Sequence, residues 1–287
     1  MKFTLAVIVA VALWQVFFAT TASPTFAGTK VTVGRAVPAN EQVSMDHISH
    51  ASWNSLLVRY VDDAGFVNYS AWKASASDAK LLDQYLRELS RASTTARATS
   101  EAQLAFWINA YNAVTVRGIL REYPTTSIRN HTPKLIGYNI WEDLLLTVGG
   151  APYSLSQIEH KVLRPMGEPR IHFSIVCASR GCPRLLNEAY AAQTLEEQLD
   201  RNARDFFAKK SNFQYDSRAQ TVKVSAIMEW FAKDFGDDTP EQLKRIERYL
   251  PDQGAKHLAA GGTARVSYLE YDWNLNDQAT QRTARGR

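Results

Sequence analysis

Apolar positions recur at helical spacing in several windows of the chain. Trp53, Leu56, Leu57 and Tyr60 share one side of a helix predicted over His50 to Tyr60. Leu81, Leu82, Tyr85, Leu86 and Leu89 form a second stripe, in a helix that Ser70 is placed to cap. From Leu104 to Leu120 the chain is apolar nearly all round, and Ser100-Glu101-Ala102-Gln103 matches a capping box. This predicts a buried central helix near 101–122 that stops before Pro124. Leu144–Val148 and Ala151–Tyr153 flank Gly149-Gly150 as a hairpin, and Asn212–Tyr215 with Thr221–Val224 make another. Ser154-Leu155-Ser156-Gln157 opens a short helix to Leu163. Arg170 to Val176 alternates strictly and is the strongest strand prediction, with Pro183 then at the first position of a helix. Helices follow from Thr194 to Ala208, Ser225 to Phe235 and Thr239 to Leu250, and Arg265–Tyr271 is the last strand. No repeat or Pro/Gly/Ser linker divides the chain. The expectation is a single α+β domain over 47–276, with helices packed around short, mainly antiparallel strands. Residues 28–46 read as a loose N-terminal segment and 277–287 as a polar tail.

The first 27 residues change the picture of where the protein works. Lys2 precedes a nearly all-apolar run from Phe3 to Phe18, broken by Thr4 and Gln15, and Thr25-Phe26-Ala27 offers a cleavage site before Gly28. This is the layout of a secretory signal. The run is shorter than the ~20 residues a spanning helix needs, so no stable membrane insertion is expected after cleavage. Export means the periplasm in a Gram-negative bacterium and secretion otherwise. A net charge of +4 on 287 residues demands no nucleic-acid partner.

Dinucleotide and phosphate-binding glycine loops, His-Glu-x-x-His and Gly-x-Ser-x-Gly are all missing, and no cofactor is expected. Chemistry is therefore sought among polar residues in apolar surroundings. Asn109 and Asn112 share one helical face; they either tie neighbouring loops to the helix or line a pocket. Glu159 and His160 form a second set. Alternation over 170–176 puts Arg170, His172 and Ser174 on one face and Ile171, Phe173, Ile175 and Cys177 on the other. Five residues of strand span about 16 Å, so His172 and Cys177 are not expected to meet. His160 is the better candidate base for a thiol nucleophile. His47 and His50 have metal-like spacing, but only two ligands are local and no metal site is expected.

Cys177 and Cys182 are the only cysteines, in Cys177-Ala178-Ser179-Arg180-Gly181-Cys182. In an oxidising compartment such a pair is expected to form a disulfide. The alternatives are inert thiols or a catalytic thiol, favoured at Cys182 if Pro183 starts a helix whose dipole lowers its pKa.

Together, Phe106-Trp107-Ile108-Asn109-Ala110-Tyr111-Asn112-Ala113, Ile158-Glu159-His160 and His172-Phe173 through Cys182-Pro183 resemble the domain-of-unknown-function family 547. Tyr60-Val61, Val67-Asn68-Tyr69, Trp230 to Phe235 and Tyr271 to Asn276 resemble its bacterial members, extending the resemblance over residues 47–276. It implies an exported single-domain protein and no established activity, while plant relatives with a preceding coiled coil imply an interaction role there. It also implies a shared polar site of Asn109, Asn112, Glu159, His160 and His172. Two functions follow as expectations. One is a pocket for a small molecule or peptide, lined by Asn109, Asn112, Glu159, His172 and Arg170, beside a Cys177–Cys182 disulfide. The other is a cysteine-dependent hydrolase or acyl transferase using Cys177 or Cys182 with His160.

Overall fold

The computed structural model describes residues 30–133 and 138–285. The signal-like segment 1–27 lies outside the described residues. The chain is an α+β fold with two small sheets. In the first, β1 (Val31–Val33) pairs parallel with β2 (Leu144–Val148), which pairs antiparallel with β3 (Ala151–Ser154). In the second, β4 (Phe213–Asp216) pairs antiparallel with β5 (Thr221–Ser225), which pairs parallel with β6 (Arg265–Leu269). Both hairpins fall where the turn residues put them. The expectation of mainly antiparallel pairing is corrected, because each sheet also holds a parallel pair between strands remote in sequence. The segment read as loose supplies β1, too short to show a period.

The helices are α1 (Ala51–Tyr60), α2 (Tyr69–Ala74), α3 (Ala76–Leu89), α4 (Ser100–Glu122), α5 (Ile140–Asp143) and α6 (Leu155–Gln157). They continue with α7 (Leu195–Ala208), α8 (Ala226–Trp230), α9 (Ala232–Phe235), α10 (Thr239–Ile246), α11 (Gln253–Gly261) and α12 (Gln278–Arg285). The last replaces part of the expected polar tail with a helix. The stripe beyond Ser70 belongs to α3, which Ser75 caps, while Asn68 caps α2. The capping residue of α4 is Thr99, one residue before the expected serine; its hydroxyl accepts from Ala102 N–H and donates to Asp46. Among the described residues no helix is long and apolar enough to cross a membrane.

α4 is the central buried helix. From Leu104 to Leu120 only Arg117 escapes burial. A larger core forms around it with α1–α3 and the first sheet, and a smaller one unites α7, the second sheet and α8–α11. Residues 171–178 run between the two: Ile171, Ile175, Val176 and Ala178 enter the larger core, and Phe173 the smaller.

Candidate functional site

The expected strand over 170–176 is instead a 3-10 turn, Pro169–Phe173. Glu168 accepts from Arg170 N–H through its side chain, Pro169 supplies a helical φ at the first position, and Ser174 N–H returns to Ile171 O. Local capping overrides alternation here. The shortened path also removes the reason for keeping His172 and Cys177 apart: both line one cavity of about 310 Å³.

After Val176 the chain enters a tight loop. Ala178 takes φ 57°, the left-handed region, which costs a residue with a Cβ on the order of 1 kcal/mol. The C-terminal segment holds the loop in that shape. Asn276 N–H donates to Ala178 O at 3.0 Å, Arg180 N–H to Asn274 O at 2.8 Å and Gly181 N–H to Asp272 O at 2.9 Å. Gly181 permits the approach, since a Cβ there would stand 2.9 Å from the Tyr271 ring.

The loop brings the two sulfurs together without joining them. Cys177 and Cys182 are both free thiols, which corrects the expected disulfide. The physical reason is the orientation of Cys182 Sγ. It accepts the Cys177 backbone N–H at 2.9 Å and the Tyr271 hydroxyl at 3.0 Å. Tyr271 Oη also lies 3.1 Å from Cys177 Sγ and 2.8 Å from Ser179 Oγ, which is itself 3.2 Å from Cys177 Sγ. No helix begins at Pro183, so no helix dipole acts on Cys182. The donors do that work. Burial opposes the Cys182 thiolate, but hydrogen bonds from Cys177, Ser179, Tyr271 and the Cys177 N–H bring its pKa down to about 6. Cys177 is pushed well above its ordinary value, first by its hydrogen bond to Cys182 and then by burial.

Two histidines face the same cavity. His172 is buried, stacks on Phe231 with centroids 4.0 Å apart, and bonds Asp234 Oδ2 through Nε2 at 2.7 Å. The carboxylate only accepts, so Nε2 carries the proton and Nδ1 is the basic nitrogen. Burial lowers the His172 pKa to about 4 against the pull of Asp234, leaving the ring neutral at pH 7. Arg164 clamps Asp234 through Nε at 2.6 Å and Nη2 at 2.7 Å, and donates to His160 Nδ1 at 3.2 Å. His160 is exposed and, like His172, makes no hydrogen bond to either sulfur. Glu159 accepts from Tyr111 Oη at 3.1 Å, and burial raises its pKa. Glu159 and His160 lie on a π-helical turn, Ile158–Leu163, that continues α6, a widening often found at functional sites.

The other expected site residues lie elsewhere. Asn109 bonds Tyr190 O and N at 2.8 and 3.0 Å, and Asn112 bonds Ser174 O and Val176 N at 3.0 and 2.9 Å. Both amides tie loops to α4, and neither lines the cavity. Arg170 is held by Glu168, Glu196 and Asp200 and borders a separate cleft of about 650 Å³ with Lys244, Arg245 and Arg248. Tyr271, Ser179, Asp234 and Tyr111 were not expected at the site. Tyr271 and Asp234 stand in the aromatic-rich motifs Tyr271-Asp272-Trp273 and Trp230 to Phe235, which read as core packing. Among the described residues, no three His, Cys, Asp or Glu side chains gather in a set able to hold a metal ion.

Comparison with curated proteins and with solved structures finds no match. Residues 95–207 match the family model described as Protein of unknown function, DUF547. The matched segment carries Tyr111, Glu159, His160, His172 and both cysteines; Asp234 and Tyr271 come from beyond it. On that match, residues 95–207 are similar to the DUF547 family, and the rest of the chain lies outside the match.

Proposed function

We propose that the protein is a cysteine-dependent hydrolase or acyl transferase with Cys182 as nucleophile. The observation that carries this reading is the pair of donors, Cys177 N–H and Tyr271 Oη, aimed at one unbonded sulfur on a cavity wall. A thiolate held by donors is both populated at neutral pH and nucleophilic. With the donors lowering the Cys182 pKa, this reading needs no separate base for the thiol and gives His160 no part in it. His172 is neutral, oriented by Asp234 and basic at Nδ1, which suits it to take a proton from the water or acceptor that resolves an acyl-enzyme. Glu159, with its raised pKa, is the group suited to hold a proton for a leaving group.

The test is to mix the full mature chain with p-nitrophenyl acetate and follow intact mass. A burst of one acetyl group per chain on Cys182, absent in Cys182→Ser and persisting longer in His172→Gln, is the expected result. Acetylation that survives Cys182→Ser removes the nucleophile from this residue. Export belongs to the same proposal, supported by Lys2 and the apolar run Phe3 to Phe18. A mature chain starting at Gly28 is expected from N-terminal sequencing, and one starting at Met1 contradicts it.

A further inference from the structure

Beside the two sulfurs the cavity wall is apolar, and its rings form a series. Tyr271, whose hydroxyl touches Cys182 Sγ, has its ring 4.5 Å from Trp273 and 4.9 Å from Trp230. Trp230 and Trp273 stack at 5.7 Å with planes 23° apart. Trp230 is 47% exposed and Cys182 only 5%, so the rings lead from the buried sulfur to the surface. Among the described residues, the other exposed large apolar side chains, Val58 and Tyr268, do not line this cavity. Phe231, Ile175 and Ile227 add further apolar wall, while Glu142 and Glu159 are the carboxyl groups facing it. At ~30 Å³ for a methylene-sized group, a volume of about 310 Å³ holds roughly ten non-hydrogen atoms.

We infer that the site takes an uncharged apolar acyl group of up to about ten carbons, delivered as an ester or thioester, with its carbonyl at Cys182 and its chain along Tyr271, Trp273 and Trp230. This inference rests on the cysteine-nucleophile reading and adds its substrate class. Each methylene that packs along these rings is transferred from water to an apolar surface. The apolar wall, which offers a charged group no partner, and Glu142 at its edge disfavour an acyl chain that ends in a carboxylate. In the reaction, the Cys182 thiolate bonds to the carbonyl carbon, and the bond from that carbon to the leaving sulfur or oxygen breaks. The leaving group departs with the electron pair and takes a proton from the solvent. Water then adds to the acyl-enzyme, giving one proton to His172, the carbon–sulfur bond breaks with its electron pair returning to Cys182 as thiolate, and His172 releases its proton to the solvent. The sum is ester or thioester plus water giving carboxylic acid plus alcohol or thiol, with no change of oxidation state.

The experiment uses the full mature chain and N-acetylcysteamine thioesters of acetyl, butyryl, hexanoyl, octanoyl and glutaryl groups. Thiol release gives kcat/KM, and intact mass gives the acylated residue. The expected result is a rise of about fourfold per methylene from acetyl through octanoyl. The glutaryl thioester should react at least tenfold more slowly than the hexanoyl one. Trp230→Ala should cut the chain-length dependence to less than half, and Trp230→Glu, a change at an exposed position, should cut it further. Equal rates for acetyl and octanoyl, or preference for glutaryl, would overturn the apolar acyl pocket and leave the nucleophile standing. Acylation of Cys182 by none of the five would overturn the nucleophile reading itself.

Discussion

Two places in this molecule bury polar side chains among apolar ones, and they differ in how the polarity is answered. On α4, Asn109 and Asn112 each give one donor and one acceptor to a single loop and receive matched partners. Around Cys182, donors converge on a titratable sulfur that borders open space. The first arrangement is closed and neutral, so it stabilises a fold. The second leaves an ionisable sulfur beside a cavity, the arrangement on which the proposed chemistry rests. Both sets stood out in the sequence for the same reason, polarity in apolar company, and only the partners separate them.

The comparison predicts opposite phenotypes. The largest expected effect is on the closed side. Asn112→Ala strips Val176 N–H and Ser174 O of their partner and should lower unfolding stability by about 2–4 kcal/mol, read from the urea midpoint. Little loss of stability would mean that α4 does not anchor the segment Ser174–Val176.

Next comes pH. His50 and His172 are both buried with pKa lowered from 6.5 to about 4, chiefly by burial. The unfolded chain therefore binds protons first as pH falls. Stability should be fully present above pH 6.5 and decline between 6.5 and 4, by about 3 kcal/mol for each ring. Glu159, raised by burial, works in the opposite direction and softens the slope. His172→Gln should remove about half of the decline. An unchanged slope would place the titration on other groups.

On the open side the effects should fall on reactivity rather than folding. Tyr271→Phe removes a hydrogen bond to the thiolate, worth on the order of 1.5–3 kcal/mol for a charged acceptor, and should raise the Cys182 midpoint by about one to two pH units. A midpoint unmoved by this change would assign the low pKa to other donors. The smallest effect is expected at Arg170, once grouped with the pocket. Arg170→Lys should weaken the Glu168–Glu196–Asp200 cluster yet change Cys182 labelling less than about twofold. A larger change would connect the second cleft to the site.

The parts legible in the sequence were those decided locally. The all-round apolar run of α4, the Gly149-Gly150 hairpin and the Ser154–Gln157 capping box each carry their signal within a few residues, and the structure has all three. The 3-10 turn at Pro169–Phe173 was legible too, in Glu168-Pro169, but alternation through Val176 outweighed it. What was not legible is what distant segments decide. β1 pairs with β2 across more than a hundred residues, and Tyr271 reaches the sulfurs from about ninety residues further along the chain. Cysteine spacing indicated that the thiols could meet, and it carried nothing about the Cys177 N–H and Tyr271 hydroxyl that donate to Cys182 Sγ.

The most direct test is the pH dependence of alkylation of each cysteine, measured by mass spectrometry after brief exposure of the native full mature chain to iodoacetamide. Cys182 should label with a midpoint of about 6, while Cys177 stays unlabelled across that range. Labelling of Cys177 first, or of neither thiol until the pH passes the ordinary cysteine value of 9.0, would contradict a donor-held thiolate at Cys182.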